Sequence, residues 1–284
     1  MYSVIHQLEE DAPVSVLCET LQVSRSAYYA WRQDRLSARA RRDLELRAQI
    51  RGIFWEHERR YGARRIALEL AAREDVCSRR RVGRLMADLG LVAIQPRSFR
   101  PRTTQSRHTL GYRPNLLLDA APPERINQVW VGDITYVPLA GGDFLYLALL
   151  MDLYSRRIVG WSLQDHLQES LVLAALRAAI RRRRPAPGLI HHSDRGGQYA
   201  AALYRATLAR AGMLQSMSRA ESSGDNAFME SCFGTIKTEL EMQPYEHPAL
   251  AHQEIPGYLR YYNTRRRHSA LGYLSPEAFE NEMA

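Results

Sequence analysis

Three acids in this sequence have neighbours that suit them to metal-dependent chemistry. Asp133 lies in the middle of WVGDITYVPL, an apolar run that reads as a buried strand. Asp194 follows the short run LIHHS and is followed at once by RGGQY, which is rich in turn formers. Glu230 belongs to GDNAFMESCFGTIK, where Asn226, Glu230 and Lys237 recur at i−4, i and i+7 and share one face of a helix. Three anions brought together repel one another and raise each other's pKa values, so such a cluster makes sense only around divalent cations. Oxygen donors without cysteine favour Mg²⁺, or Mn²⁺, over zinc. Two such ions about 3.5–4 Å apart would activate an attacking oxygen and stabilise the leaving one in a phosphodiester displacement. Lys237 is the only lysine in the chain, against 38 arginines, and would point at a phosphate backbone; a solvated helix face is the plain alternative.

The elements around these acids follow an order that would bring them together. Strand-like runs at 128–139, 144–153 and 157–163, separated by turn residues such as Gly141-Gly142-Asp143, predict an antiparallel meander. A helix over 168–184 carries Leu171, Leu173, Ala174, Leu176 and Ile180 and stops at Pro185. A short strand at 188–193, a helix at 198–211 and a strand at 213–217 follow, and the Glu230 helix docks through Met229, Phe233, Ile236 and Leu240. The fold class this predicts is α/β: an RNase H-like mixed five-stranded sheet with helices. In that topology the centre of the first strand lies beside the end of the fourth, so Asp133 and Asp194 face one another.

The region before this core is helical and basic. Residues 1–110 hold 21 Arg against 13 Asp plus Glu, whereas the other 174 residues hold 18 of each sign. The whole surplus of +8 therefore precedes the acids, as expected of a region that grips DNA phosphates by charge. Residues 11–32 read as two short helices in helix-turn-helix spacing, with Ser24 placed to cap the second and Arg25, Tyr28 and Arg32 on it. Residues 43–94 form a second helical module whose last helix starts after Ser78, carries Arg79, Arg80, Arg81 and Arg84, and ends at Gly90. These arginines can equally be solvated. Between 95 and 126 the periodicity lapses into Pro- and Arg-rich sequence, which predicts an extended linker. The expected organisation is 1–42 helix-turn-helix, 43–94 second DNA-binding module, 95–126 linker, 127–245 catalytic core and 246–284 C-terminal helical segment. Cys18, Cys77 and Cys232 stand singly, so no disulfide framework or cysteine zinc site is suggested. The longest apolar stretch, FLYLALLM, is far short of a membrane span, and a cytoplasmic protein without membrane association is expected.

Taken together, WVGDITYV, MDLYSRRIVGW, HHSDRGGQY, the 35 residues between Asp194 and Glu230, Lys237 seven beyond Glu230, and YYNTRRRHSALGYLSP carry a resemblance. The chain resembles the retroviral-integrase-like DDE transposases, and closely the OrfB-type transposases of bacterial insertion sequences. That resemblance implies that Asp133, Asp194 and Glu230 are catalytic and bind two Mg²⁺ ions, with Mn²⁺ as a substitute. It implies cleavage at the element ends, then direct attack of the freed 3′-hydroxyl on another phosphodiester, without a covalent protein–DNA intermediate. Asn226 and Lys237 would position DNA; Tyr262, Asn263, Arg267 and His268 would form a backbone-contacting or docking segment. The implied partners are terminal inverted repeats, target DNA and further copies of the chain, at least a dimer on DNA. Relatives of this type are often fused to an upstream OrfA-type segment with a leucine zipper; this sequence holds no long heptad run.

The remaining polar residues have blander readings. Asp152 lies on a strand near Asp133, but the resemblance gives it no metal role. His191 and His192 are adjacent on a strand and so point to opposite faces. Trp130 and Trp161 read as core. Arg181 to Arg184 can grip DNA, although cations are favoured at any helix C-terminus. Two competing functions stay open: a nuclease on the same core that cuts without joining, and a non-catalytic DNA-binding regulator.

Overall fold

The computed structural model describes residues 1–33, 37–95, 112–219 and 223–283. It divides into two compact units, Met1–Ala93 and Ile94–Ala284.

The first unit is helical: α1 (Tyr2–Leu8), α2 (Val14–Thr20), α3 (Arg25–Arg32), α4 (Ala38–Glu56), α5 (Ala63–Ala72) and α6 (Arg79–Asp88). Ile5, Cys18 and Tyr28 form one small core, while Leu46, Ile50, Phe54, Ile66, Leu70, Val82 and Leu85 form a larger one. Ser37 and Ser78 cap α4 and α6 by accepting from the amides of Ala40 and Arg81 at 3.1 and 3.3 Å. Ser24 precedes α3 as expected but makes no side-chain cap; its hydroxyl pairs with that of Ser26 at 2.6 Å. Helix α1 was not expected, because seven residues with a single buried side chain give too little periodicity to read.

The second unit is built on β1 (Val129–Pro138), β2 (Phe144–Asp152), β3 (Ile158–Gln164), β4 (Ile190–Ser193) and β5 (Leu214–Met217), in the order β3-β2-β1-β4-β5. The β1–β2 and β2–β3 pairs are antiparallel, and the β1–β4 and β4–β5 pairs are parallel. One face, with Trp130, Ala148 and Leu150, packs on α7 (Glu169–Arg183) and on the helices after β4. At Gly160 a Cβ would stand 2.4 Å from the Ala175 carbonyl oxygen, so a side chain there would push α7 off β3. The expected helix over 198–211 breaks at Ala201 into α8 (Gly197–Ala200) and α9 (Ala202–Arg210), because Ala201 is extended, with ψ 149°.

The opposite face carries Val129, Val131 and Val137 of β1 and Leu145, Leu147, Leu149 and Met151 of β2. It is covered by α10 (Ala227–Glu239), through Met229, Phe233 and Ile236, and by α11 (Pro248–Thr264), through Ala251, Ile255, Tyr258, Leu259 and Tyr262. The region after 245 is therefore part of the core's own packing rather than an appended segment. Helix α12 (Pro276–Met283) is tied in by Glu280, which receives Arg157 at 2.6 Å and Arg183 at 2.8 Å.

The expected linker also needs correction at its C-terminal end. Residues 96–111, with Pro96 and Pro101, lie outside the described residues. Residues 112–126 lie along the core: the Leu116 amide donates to Ser216 Oγ at 2.9 Å, Asn115 donates to Asp225 at 3.0 Å, and Leu117 joins the packing under α10 and α11. Asp152 is a buried structural acid that receives the amides of Asn127, Tyr154 and Ser155 at 2.6, 3.0 and 2.9 Å. It pins the β2–β3 turn to the entry of β1.

Candidate active site

Parallel pairing of β1 with β4 places Gly132 opposite Ser193, so Asp133 and Asp194, one residue further on, emerge at the same level. Alternation along β1 puts Asp133 on the side of Val131 and Val137, the side that α10 covers. Asp133 Oδ1 accepts the Ile134 amide at 2.8 Å, and Asp194 Oδ1 accepts that of Gly196 at 2.9 Å. Glu230 stands exposed in the first turn of α10, where the helix dipole favours an anion.

The three acids share an electric field. Burial first, then the charge of Asp194, raises the Asp133 pKa from 3.8 to about 8, with Glu230 adding to the rise. The Ile134 amide and Lys237 pull it down, less strongly. Lys237 is itself partly buried, and this lowers its pKa while Asp133 opposes the shift. Among the described residues no three His, Cys, Asp or Glu side chains are gathered closely enough to hold a metal ion.

The other potential ligands beside the acids are committed elsewhere. His191 Nε2 meets the Tyr204 hydroxyl at 2.9 Å on one side of the sheet. His192 pairs with Ser216 at 2.8 Å and Ser218 at 3.2 Å. Both rings are buried, and burial keeps His191 neutral, with its pKa lowered to about 3. The Cys232 thiol is buried against Tyr262, and burial raises its pKa to about 11. The described acids themselves offer oxygen donors, which suits a hard divalent cation.

Asn226, directly before α10, is buried and donates through its amide nitrogen to the Gly132 carbonyl at 3.4 Å, which places it beside β1 next to Asp133. The sequence-predicted DNA contacts divide into surface and interior groups. Arg25, Arg79 and Arg80 are exposed. Arg32 is exposed but pairs with Glu9 at 3.1 Å. Tyr28 is fully buried and donates to Glu9, so it supports the first unit from within. Arg81 and Arg84 both reach Asp43, at 2.8 and 2.7 Å, and tie α6 to α4. Arg267 donates to the Tyr273 carbonyl at 3.2 Å, and His268 is buried with its ring 4.6 Å from that of Tyr262. Trp130 is fully buried and Trp161 packs on the α10–α11 side, as expected.

The C-terminal run YYNTRRRHSALGYLSP has a structural explanation that its sequence did not offer. The Asn263 carboxamide receives the Ile158 amide and donates to the Ile158 carbonyl, both at 2.9 Å, imitating a strand along β3. Arg266, which sequence reasoning missed, is buried and binds Glu239 at 2.8 Å. Phe228, also missed, is exposed in the first turn of α10 with the Arg156 guanidinium 4.4 Å above its ring.

A family model described as an integrase core domain matches residues 123–223, and a second of the same description matches 211–276. An HTH-like domain matches residues 41–99. Sheet order, acid placement and these matches define the class: an integrase-type catalytic core preceded by a helix-turn-helix-like domain. The chain is 41% identical over 268 residues to an uncharacterized 31 kDa protein of insertion element IS600 from Shigella sonnei, covering 94% of this chain and 98% of that one. It is 35% identical over 285 residues to the transposase InsF for insertion sequence IS3A from Escherichia coli K12, covering 99% and 98%. The chain belongs to the insertion-sequence transposases, a family of polynucleotidyl transferases. Among solved structures, the HTLV-2 integrase catalytic core domain in complex with magnesium aligns with a TM-score of 0.41 and 14% identity, over 55% of this chain and 97% of that one.

Proposed function

We propose that this chain is a DDE transposase that cuts DNA at the ends of a bacterial insertion sequence and joins the freed 3′-hydroxyl to target DNA. Asp133, Asp194 and Glu230 would hold two Mg²⁺ ions, with Mn²⁺ able to replace them. The reading is supported by the strand register, which sets Asp133 and Asp194 at the same level of the sheet, by the position of Glu230 in the first turn of α10, which packs on β1, and by the rise that Asp194 and Glu230 both add to the Asp133 pKa. The site suits hard cations because its acids offer carboxylate oxygens, and positive charge would favour the ionised form of the Asp133 carboxyl. When bound, the ions would polarise the phosphodiester and favour the charged forms of the attacking and leaving oxygens. Asp133 on β1 and Asp194 just beyond the end of β4 would supply the fixed side of the cradle, whereas Glu230 would close it from α10. Lys237, two turns further along that helix, would meet a DNA phosphate and oppose the excess negative charge. The partners implied are the terminal inverted repeats, target DNA and at least one further copy on DNA, with an upstream OrfA-type segment as an additional partner. The compartment is the cytoplasm; no described helix is long and apolar enough to cross a membrane.

Labelled element ends incubated with the chain and Mg²⁺ test the reading. Joined products are expected. Hydrolysis without joining would make the protein a nuclease, and binding without cleavage would make it a regulator. The front unit has its own test. Replacing Arg79 and Arg80 by alanine should lower DNA affinity about tenfold at moderate salt and reduce the slope of log K against log salt by about 1–2. An unchanged slope would remove these arginines from the interface. Arg81→Ala would instead lower the melting temperature, because it frees one partner of Asp43.

A further inference from the structure

We infer that Asn226 is a fourth oxygen donor of the metal site, a role that rests on the triad reading and goes beyond positioning DNA. The residue is 8% exposed, and its carboxamide oxygen is buried with no hydrogen-bond donor among the described residues. The orientation of the amide is determined chemically. Only the nitrogen can face the Gly132 carbonyl oxygen, so Oδ1 must be the atom left over. Asn226 occupies the N-cap position of α10, yet its side chain caps no helix amide, so capping does not explain why an amide is there. A buried acceptor without a donor is unfavourable, and an apolar side chain in that place would avoid the cost.

The position of this oxygen supplies the explanation. It is enclosed beside the residue that precedes Asp133, one helical turn before Glu230 and on the same face of the helix. Asparagine carbonyl oxygens are ordinary ligands of hard divalent cations. A neutral donor would complete a coordination shell without adding a fourth negative charge beside three carboxyl groups. Because the Gly132 carbonyl holds the amide nitrogen, the carboxamide is fixed before any cation arrives, so Asn226 would link the strand bearing Asp133 to the helix bearing Glu230.

Mn²⁺ titration of the full chain, read by electron paramagnetic resonance without DNA, tests this directly. Asn226→Ala should weaken Mn²⁺ binding at least about tenfold. Asn226→Asp, which keeps an oxygen at that place, should restore binding to the wild-type level or tighten it. Melting in chelator, measured alongside, reads any purely structural contribution. If Asp194→Asn loses Mn²⁺ while Asn226→Ala binds it as the wild type does, Asn226 is not a donor and the triad reading survives. If Asp194→Asn also binds Mn²⁺ like the wild type, the triad reading fails and this inference fails with it.

Discussion

Asp194→Asn and Glu230→Gln should each reduce strand cutting by at least about 10³-fold, because on the proposed reading each would remove an anionic ligand from a site that works by stabilising charge. DNA affinity should stay within about threefold, since on the proposed reading phosphate contacts by the basic front unit would dominate it. Gel assays of cleavage and filter binding on the same preparations separate the two effects, and normal turnover by either variant would overturn the assignment. Asp133→Asn adds an opposite-signed readout. The folded-state pKa of Asp133 is about 8 against an ordinary 3.8, so its ionisation opposes folding. Metal-free stability should fall as pH rises from about 4 to about 8, where the unfolded chain binds fewer protons than the folded one. In chelator at neutral pH, Asp133→Asn should therefore melt several degrees higher than the wild type, a gain of about 1–3 kcal/mol once screening at its partly exposed rim is allowed for. A variant that is inactive yet more stable is what a site strained by uncompensated charge predicts. A lower melting temperature would show that Asp133 serves the fold.

Arg266→Ala should be the most destabilising single change outside the active site. Arg266 and Glu239 are both buried, in contact at 2.8 Å, and Glu239 also receives the Tyr258 hydroxyl at 3.0 Å. Burial disfavours the Arg266 cation, but the Glu239 carboxylate outweighs it and raises the Arg266 pKa. Removing the guanidinium strands Glu239 beneath α11, at a cost of about 3–5 kcal/mol. At about 2–4 °C per kcal/mol, melting should drop by roughly 10 °C. Neutralising both partners, as Glu239→Gln with Arg266→Gln, should recover much of the loss. Urea unfolding of the two singles and the double gives the coupling directly, and a single-variant cost below about 1 kcal/mol would mean that water reaches the pair.

These results bear on what the sequence could disclose. The five strands were legible because apolar runs alternate with turn residues, and so were the settings of Asp133 within a strand, Asp194 just after one and Glu230 at the start of a helix. Partnership was not legible. Nothing in RRRVGR says that Arg81 and Arg84 turn back to Asp43 while Arg79 and Arg80 face outward. Tyr28 and His268 have side chains that serve equally for nucleic-acid contact or core packing, and only the fold decides. Residues 112–126 were misread because proline-rich sequence without periodicity looks the same whether it hangs free or adheres to a surface through scattered bonds such as Leu116 to Ser216. Helix α11 was recognised as helical, but its place over β1 and β2 depends on contacts distant in sequence.

That placement of α11 has a practical corollary for anyone preparing the catalytic unit in isolation. A fragment ending at residue 245 would retain all three acids but uncover Leu145, Leu147, Leu149 and Met151, which α11 helps to shield. Such a piece should aggregate on expression, whereas one running from 112 to 283 should stay soluble and monodisperse.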